Sequence, residues 1–192
     1  MALILKQKGK FMKKIFCIFA CFAVLSLPIF ASSFVLDHAK SNVDFTIVHL
    51  KLKDVNGKFK NFDGKIDFDV KAKKLNALSG EVEVASVDTA NQKRDDHLRS
   101  DEIFNTAKFP KMTFVMTKYE EGKIYGDLTI KGITKSVAFK AQNSFDGKVL
   151  NIKAETQVKR SDFGVVWESS LKDSLLDDEL VIKLNLNAKE QK

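Results

Sequence analysis

The sequence predicts an all-β protein built as an antiparallel meander of about eight or nine strands. Apolar and polar residues alternate with a period of two in segments spread over residues 34–188. Short turn signals containing glycine separate several of these segments, and connections that short join antiparallel neighbours. A meander of this size either splits into a sandwich or closes into a barrel, and alternation alone leaves both architectures open.

Each predicted strand places alternate side chains on one buried face of the sheet. The predicted strands are Phe34–Leu36, Val43–Ile47, Ile66–Val70, Val82–Val84, Met112–Met116, Leu128–Ile130, Val137–Ala141, Ile152–Ala154 and Leu180–Ala188. The dipeptides that indicate turns are Asn56-Gly57, Asp63-Gly64, Ser79-Gly80, Glu121-Gly122, Lys131-Gly132 and Asp146-Gly147.

Two stretches interrupt the alternation. Between Thr89 and Pro110 a few apolar residues recur at helical spacing, which predicts one or two short helices before the next strand. The segment Phe163–Asp178 contains the single tryptophan, Trp167, and is predicted to form a loop with a helical turn near the end of the sheet.

Residues 1–31 have the three parts of a secretory signal peptide. The lysines end at Lys14, an apolar run extends over Ile15–Phe30, and Ala31 is a small residue at the cleavage position. We therefore expect cleavage after Ala31 and a periplasmic mature protein.

The signal peptide sets the predicted domain boundaries. Residues 32–192 form one domain, and residues 1–11, which precede the more natural start at Met12, are interpreted as an upstream extension. The formal net charge is +7, but the leader holds five lysines and no acid, which leaves 27 basic against 25 acidic residues in the domain. A nearly balanced charge does not predict a nucleic-acid partner.

Cysteine and histidine are too scarce to predict metal or thiol chemistry. Cys17 and Cys21 both lie in the leader, so the mature domain has no disulfide and no thiol nucleophile. The three histidines, His38, His49 and His97, include no closely spaced pair, whereas a zinc site needs three or four convergent ligands. We predict neither a metal nor a cofactor.

One cluster of residues has the composition of a catalytic site. The run Arg94-Asp95-Asp96-His97 places carboxylates beside an imidazole, which can act as a general base. The alternative is structural: Arg94 and His97 bond to neighbouring backbone and acids and seal the end of the barrel. Because no nucleophile motif accompanies the cluster, we predict no catalytic residue.

Several blocks of the mature chain resemble the YceI-like family. They are Asp37–Phe45, Gly57–Gly64, Ser86–Ser100 with Phe109-Pro110, Gly126–Lys135 and Arg160–Gly164. The resemblance implies an antiparallel, lipocalin-like β-barrel of about eight strands with a short helical insertion. It also implies binding of polyisoprenoid chains.

The aromatic content points to the same class of ligand. The chain has 16 Phe against two Tyr and one Trp, and a small closed barrel lined by such residues suits a long apolar chain. Residues expected to meet the chain are Phe45, Ile47, Phe68, Val70, Phe114, Met116, Leu128, Ile130, Val137 and Phe139. A polar head group is expected near Arg94, His97 or Arg160.

The leading hypothesis is a periplasmic protein that holds a long-chain isoprenoid-type lipid, polyprenyl or quinone-like, for transport or storage. The expected partner is an isoprenoid, a quinone or a fatty amide, and transient membrane contact and a homodimer are compatible with this hypothesis. Two alternatives stay open: a hydrolase or isomerase acting on a lipid near His97, and a ligand-free envelope stress protein whose barrel is filled by its own side chains.

Overall fold

The computed structural model describes residues 32–49, 53–167 and 176–191, which all belong to one compact unit. The predicted signal peptide, the upstream extension and both cysteines lie outside the described residues. None of the helices in the described ranges is long and apolar enough to cross a membrane.

Eleven strands form one sheet within the described ranges, and their pairings are antiparallel. They are β1 (Ser32–Leu36), β2 (Asn42–His49), β3 (Lys53–Phe59), β4 (Phe62–Asp69), β5 (Lys74–Glu83), β6 (Val87–Asp88), β7 (Lys111–Glu120), β8 (Lys123–Ile130), β9 (Ile133–Phe145), β10 (Val149–Lys159) and β11 (Leu176–Glu190). The helix α1 spans Gln92–Arg99, and short 3-10 helices span His38–Lys40, Val84–Ser86 and Ser161–Phe163.

Eight of these strands close into a barrel. The order β1-β4-β5-β7-β8-β9-β10-β11 returns to its start because β11 also pairs with β1. Phe34 is at the point of closure, opposite Ile66 of β4 on one side and Glu190 of β11 on the other. The predicted antiparallel barrel with a short helical insertion is therefore confirmed, and the sandwich is excluded.

The long strand β11 has two partners along one edge. Its last residues pair with β1, and its earlier residues pair with β2, which continues the path of β1 after the kink at His38–Lys40. Asn187 spans the kink, since its backbone N–H donates to the Ser41 hydroxyl (2.9 Å) and its carbonyl accepts from the N–H of Asp37 (2.7 Å). The β2–β3 hairpin thus branches from the ring and carries β6, the strand that leads to α1.

Three of the predicted turns are correct in position and three are wrong. Glu121-Gly122, Lys131-Gly132 and the Asp146-Gly147 pair do connect consecutive strands. Asn56-Gly57 lies inside β3, while Asp63-Gly64 and Ser79-Gly80 lie inside β4 and β5, where Gly64 pairs with Gly80. Gly57 and Gly64 make room for a neighbour: a Cβ at Gly64 would lie 2.8 Å from the carbonyl oxygen of Ser79 and 3.3 Å from Leu36.

One end of the barrel is filled with side chains. Phe34, Phe68 and Phe145 pack there with ring centroids 5.8 to 6.1 Å apart. Leu75, opposite Phe68, and Leu150, opposite Phe145, are no more than 1% exposed. Phe68 is near the end of β4 and Leu75 is near the start of β5. The chain reaches α1 only after the opposite end of β5, so this cluster is remote from α1. The tightest core is therefore at the far end of the barrel.

Candidate functional site

A cavity of about 520 Å³ occupies the half of the barrel next to α1. Its wall takes residues from β2–β5, from β7–β11 and from α1, so the strands surround it. Phe34, Phe68 and Phe145, which fill the other end of the barrel, do not line this cavity. The volume lies within the range of about 300–1,000 Å³ that is usual for small-molecule sites.

Aromatic rings form much of the wall. Phe45 and Phe59 pack at a centroid distance of 5.6 Å on the β2–β3 side, and Phe114 and Phe139 pack at 5.3 Å on the β7–β9 side. Aliphatic residues from β8 and β11 complete the wall between them. Such a surface offers a ligand apolar contact area and few hydrogen-bonding groups, which suits a hydrocarbon chain.

Two glycines allow phenylalanine rings to lie flat against the wall. Phe45 is paired with Gly57 on β3, and a Cβ at Gly57 would come within 2.6 Å of Phe45 Cε1. On the other side of the barrel, a Cβ at Gly126 would come within 2.6 Å of Phe114 Cε2. With a larger residue at Gly57 the ring of Phe45 would have to turn away from the strand. At Gly126 a Cβ would overlap the carbonyl oxygen of Val115 as well as the ring of Phe114.

Most of the residues predicted to meet a ligand lie on this wall. They are Phe45, Ile47, Phe114, Leu128, Ile130, Phe139, Arg94, His97 and Arg160. Whether a ligand touches them stays a prediction. For the six strand residues the agreement arises because period-two alternation identifies the inward face of each strand.

Phe68, Val70 and Met116 lie elsewhere. Phe68 faces inward at the filled end and is 1% exposed. Val70 follows the last residue of β4 and lies in a turn. Met116 is partly buried, and the register of the β7–β8 pairing shifts between Met116 and Lys118. Alternation identifies the face of a strand. It gives neither the height of a residue along the barrel, which matters for Phe68, nor the point where a strand ends or shifts register, which matters for Val70 and Met116.

Val137 lies at a separate recess on the barrel side. The β9–β10 ladder ends at the pair Lys140 and Glu155, beyond which the two strands part. Val137 lines the recess of about 470 Å³ left there, and the Thr156 hydroxyl bridges the gap by donating to the carbonyl of Ala138 (2.9 Å). A split in a ladder has no signature in the alternation of either strand.

Some residues of the cavity wall were not predicted from the sequence. Val55 and Phe59 lie on β3, a strand that was not predicted because Asn56-Gly57 was interpreted as a turn. The alternation was present in the sequence, with Gly57 occupying an inward position between Val55 and Phe59. Thr89 and Trp167 also line the cavity, and both come from irregular segments that lack a periodic signal.

Arg94 is held against the wall by the residues that start α1. The side chain of Asn91 caps the helix by accepting from the backbone N–H of Arg94 (3.1 Å). Arg94 Nε and Nη2 donate to the hydroxyl (2.7 Å) and the carbonyl (2.8 Å) of Thr89. Asp95, only 4% exposed, accepts from the N–H (3.0 Å) and the hydroxyl (2.5 Å) of the same threonine.

The turn before α1 is stabilised by Asp88. Its carboxylate accepts from the backbone N–H of Ala90 (2.9 Å) and lies 3.0 Å from the ammonium of Lys60. The Ala90 hydrogen bond, followed by Lys60, lowers the pKa of Asp88. This local network fixes the direction in which the Thr89–Asp95 segment enters the helix.

His97 lies between two partners at the mouth of the cavity. Its Nε2 is 2.7 Å from Glu102 Oε2, and the indole N–H of Trp167 donates to the same nitrogen at 3.1 Å. When Nε2 of His97 carries a proton, it donates to Glu102. When Nε2 carries no proton, it accepts from Trp167. The predicted Arg94–His97 cluster therefore does not form one catalytic group. Arg94 and Asp95 both bond Thr89, whereas Asp96 pairs with Arg99 (2.9 Å) and His97 contacts Glu102. Within the described residues, no group of three or more His, Cys, Asp or Glu could hold a metal ion.

Arg160 joins the loop after β10 to the start of β11. The residue is 7% exposed and donates to the backbone carbonyls of Val165 (2.9 Å) and Asp177 (3.1 Å). Next to it, Asp178 accepts from the N–H (3.0 Å) and the hydroxyl (2.7 Å) of Ser161. Burial raises the pKa of Asp178, but the two bonds from Ser161 and the charge of Arg160 outweigh it, so that the pKa lies below its ordinary value.

Known proteins resemble this chain over most of its described length. The model of the YceI-like domain matches residues 34–188. A UPF0312 protein of Staphylococcus aureus is 33% identical over 147 residues, which cover 73% of this chain and 86% of the relative. The protein YceI of Escherichia coli is 38% identical over 133 residues, which cover 64% of this chain and 70% of the relative.

Solved structures share the barrel. BcnA of Burkholderia cenocepacia superposes with a TM-score of 0.73 at 28% identity, covering 80% of this chain and 99% of that one. The YceI protein of Campylobacter jejuni gives a TM-score of 0.65 at 34% identity, with coverages of 76% and 90%. A Saccharophagus degradans domain with 12% identity, a TM-score of 0.62 and coverages of 84% and 99% has the same fold. By the family match and these relatives, the chain belongs to the YceI-like domain family.

Proposed function

We propose that this protein binds one long-chain lipid of the isoprenoid type, polyprenyl or quinone-like, in the barrel cavity and carries or stores it. The observation that carries the proposal is the cavity itself: about 520 Å³ of space, walled largely by apolar side chains. A barrel filled by its own side chains would leave no such space. A hydrophilic ligand would find few partners on this wall.

Apolar contact is the source of binding free energy in this proposal. Removing apolar surface from water contributes on the order of 25 cal/mol per Å², so a chain that fills the cavity is held by contact area. Part of this gain is offset by the lost freedom of the ligand. Because area depends weakly on the pattern of branching, we expect chains of similar length to compete with each other.

The similar proteins support the class of ligand. The Saccharophagus degradans structure is described as a polyisoprenoid binding domain. At 12% identity this likeness concerns the fold, and the ligand is transferred here only as part of the proposal. The cavity wall in the present chain supplies the independent support.

The proposal includes secretion to the periplasm and transient contact with a membrane from which the lipid is taken. Its support is the leader sequence of residues 1–31. N-terminal sequencing of protein released by osmotic shock should find a start near Ser32. An intact leader on soluble protein would contradict secretion.

Lipid extraction tests the binding function. Protein purified without detergent is extracted with organic solvent, and the extract is analysed by mass spectrometry beside a mock purification from cells without the gene. We expect an isoprenoid lipid in roughly equimolar amount with the protein. An extract equal to the mock, together with no uptake of added polyprenol, would contradict the proposed function.

A further inference from the structure

Arg94 is one of the few charged residues on the largely apolar wall of the cavity, which also includes Asp44, Asp63, Glu81 and Arg160. It lies on the face of α1 that also carries His97 and Leu98, three and four residues further on, and all three line the cavity. We refer to Thr89, Arg94 and His97 together as the Arg94 corner. The corner is where a polar group of a bound lipid would find hydrogen-bond donors.

The guanidinium of Arg94 is held in place but has donors to spare. Nε and Nη2 are bonded to the hydroxyl and the carbonyl of Thr89, which fixes the plane of the group. Within the described ranges, Nη1 makes no hydrogen bond. A guanidinium has five N–H groups in a rigid fork, and the free edge of this fork can meet two oxygens of one ligand.

The charge of Arg94 has no carboxylate partner among the described residues. Each nearby acid is engaged elsewhere: Asp95 with Thr89, Asp96 with Arg99, and Glu102 with His97. Arg94 is half-buried, so water reaches part of the group, and an anion that binds beside it gains charge-assisted hydrogen bonds from the free donors. A hydrogen bond from Arg94 to a neutral alcohol is much weaker than one to an anion.

We propose that the Arg94 corner binds the anionic head, a carboxylate or a phosphate, of the amphiphile whose chain fills the cavity. The inference rests on the proposed function, and it selects among the lipids that fit the apolar wall. The head accepts hydrogen bonds from Arg94 at the α1 end, and the chain runs toward the filled end of the barrel. Long-chain anions therefore bind more tightly than alcohols or amides with the same chain.

Fluorescence of Trp167 provides the measurement. It is the single tryptophan of the chain and lines the same cavity, so its emission reports on occupancy. Delipidated protein is titrated with dodecanoate, dodecyl phosphate, dodecanol and dodecanamide, which differ only in the head. We expect the two anions to bind about tenfold more tightly than the alcohol, the size of one charge-assisted hydrogen bond.

The matched variants are Arg94→Gln and Lys93→Gln. Lys93 is the neighbouring, exposed residue of the same helix, so both variants lose one positive charge at nearly the same place. Arg94→Gln should lose the tenfold preference for anions, while Lys93→Gln should keep it. Arg94→Lys retains the charge and should keep part of the preference, which preserves the test if Arg94→Gln does not fold.

The outcomes separate the two proposals. If no amphiphile binds, the proposed function fails together with the inference. If all four bind equally to wild type and to Arg94→Gln, only the head-group site is refuted. Inorganic phosphate alone, at millimolar concentration, should neither quench Trp167 nor displace dodecyl phosphate. Displacement by phosphate alone would overturn the inference, because the corner would then be a site for free anions.

Discussion

The ring of Phe45 lies across the backbone of Gly57, its partner on the adjacent strand β3. The strand pairing alone would allow any residue at position 57, since the glycine is not in the left-handed region of backbone conformation. The requirement for glycine is therefore steric and comes from the phenylalanine. The ring of Phe114 likewise lies against Gly126 of β8, although the strand partner of Phe114 is Leu128 and a Cβ at Gly126 would also overlap the carbonyl oxygen of Val115.

Gly57→Ala should close part of the cavity. The added methyl group would overlap Phe45, and the ring can escape only by turning into the space that the ligand needs. We expect a loss of about 1–3 kcal/mol in the free energy of unfolding and a larger relative loss of lipid affinity. Gly80→Ala is the control, because it also adds a methyl group to the cavity wall, but its Cβ would lie 3.4 Å from the carbonyl oxygen of Asp63, its nearest neighbour, and would displace no ring. Equal lipid affinity in both variants would contradict the role of Gly57.

Substitutions at the two ends of the barrel should differ in cost. Phe68→Ala removes a ring from the filled end and should lower the free energy of unfolding by about 3–5 kcal/mol. Phe114→Ala only enlarges an existing cavity, so its cost in lipid-free protein should be clearly smaller. Denaturant unfolding of both variants measures the difference. Identical losses would mean that the cavity is filled in solution.

His97→Ala tests whether the imidazole has a catalytic role. The side chain is 31% exposed and its main partner, Glu102, is 38% exposed, so we expect a loss of only about 1 kcal/mol in stability. Lipid esters and amides incubated with wild type and with the variant should be recovered unchanged. Turnover by wild type that disappears in a variant of normal stability would favour the hydrolase or isomerase.

Acid should weaken the loop at the cavity mouth. The pKa of Asp178 is lowered because the bonds from Ser161 and the charge of Arg160 outweigh burial. A carboxyl with a lowered folded pKa contributes stability above its unfolded value, here about 3.8, and loses it as the pH falls through the folded value. The melting temperature should therefore fall more steeply from about pH 5 to about pH 2 in wild type than in Asp178→Asn. Parallel curves would argue against this contribution.

The sequence predicted the faces of the strands better than the shape of the barrel. Alternation in segments such as Val43–Ile47 and Leu128–Ile130 reflects one buried and one wet face, which is a local property. Most of the residues predicted from this alternation lie on the cavity wall. Height along the barrel depends on strand tilt and register, which are set by pairing between distant segments, so Phe68 could not be assigned to the filled end.

Glycine was the other source of error. In loops, glycine permits unusual backbone angles, as at Gly122 (φ 72°) and Gly132 (φ 75°). In β3 and β4 it instead leaves room for a neighbour, and the neighbour of Gly57 is Phe45, which lies on another strand. No local pattern separates these two uses. The positions of the irregular segments that contain Thr89 and Trp167 were predicted from the sequence. Nothing in the sequence indicated that these two residues would line the cavity.

Native mass spectrometry of wild type and Ile130→Trp tests the central claim, a lipid-filled cavity, most directly. Ile130 lies on the cavity wall, and an indole there would occupy ligand space without straining a filled core. Wild type purified without detergent should carry an added mass that is lost on denaturation, whereas Ile130→Trp should melt cooperatively near the wild-type temperature with most of that mass missing. Collapse of the melting transition, or the same bound mass in both proteins, would contradict the account.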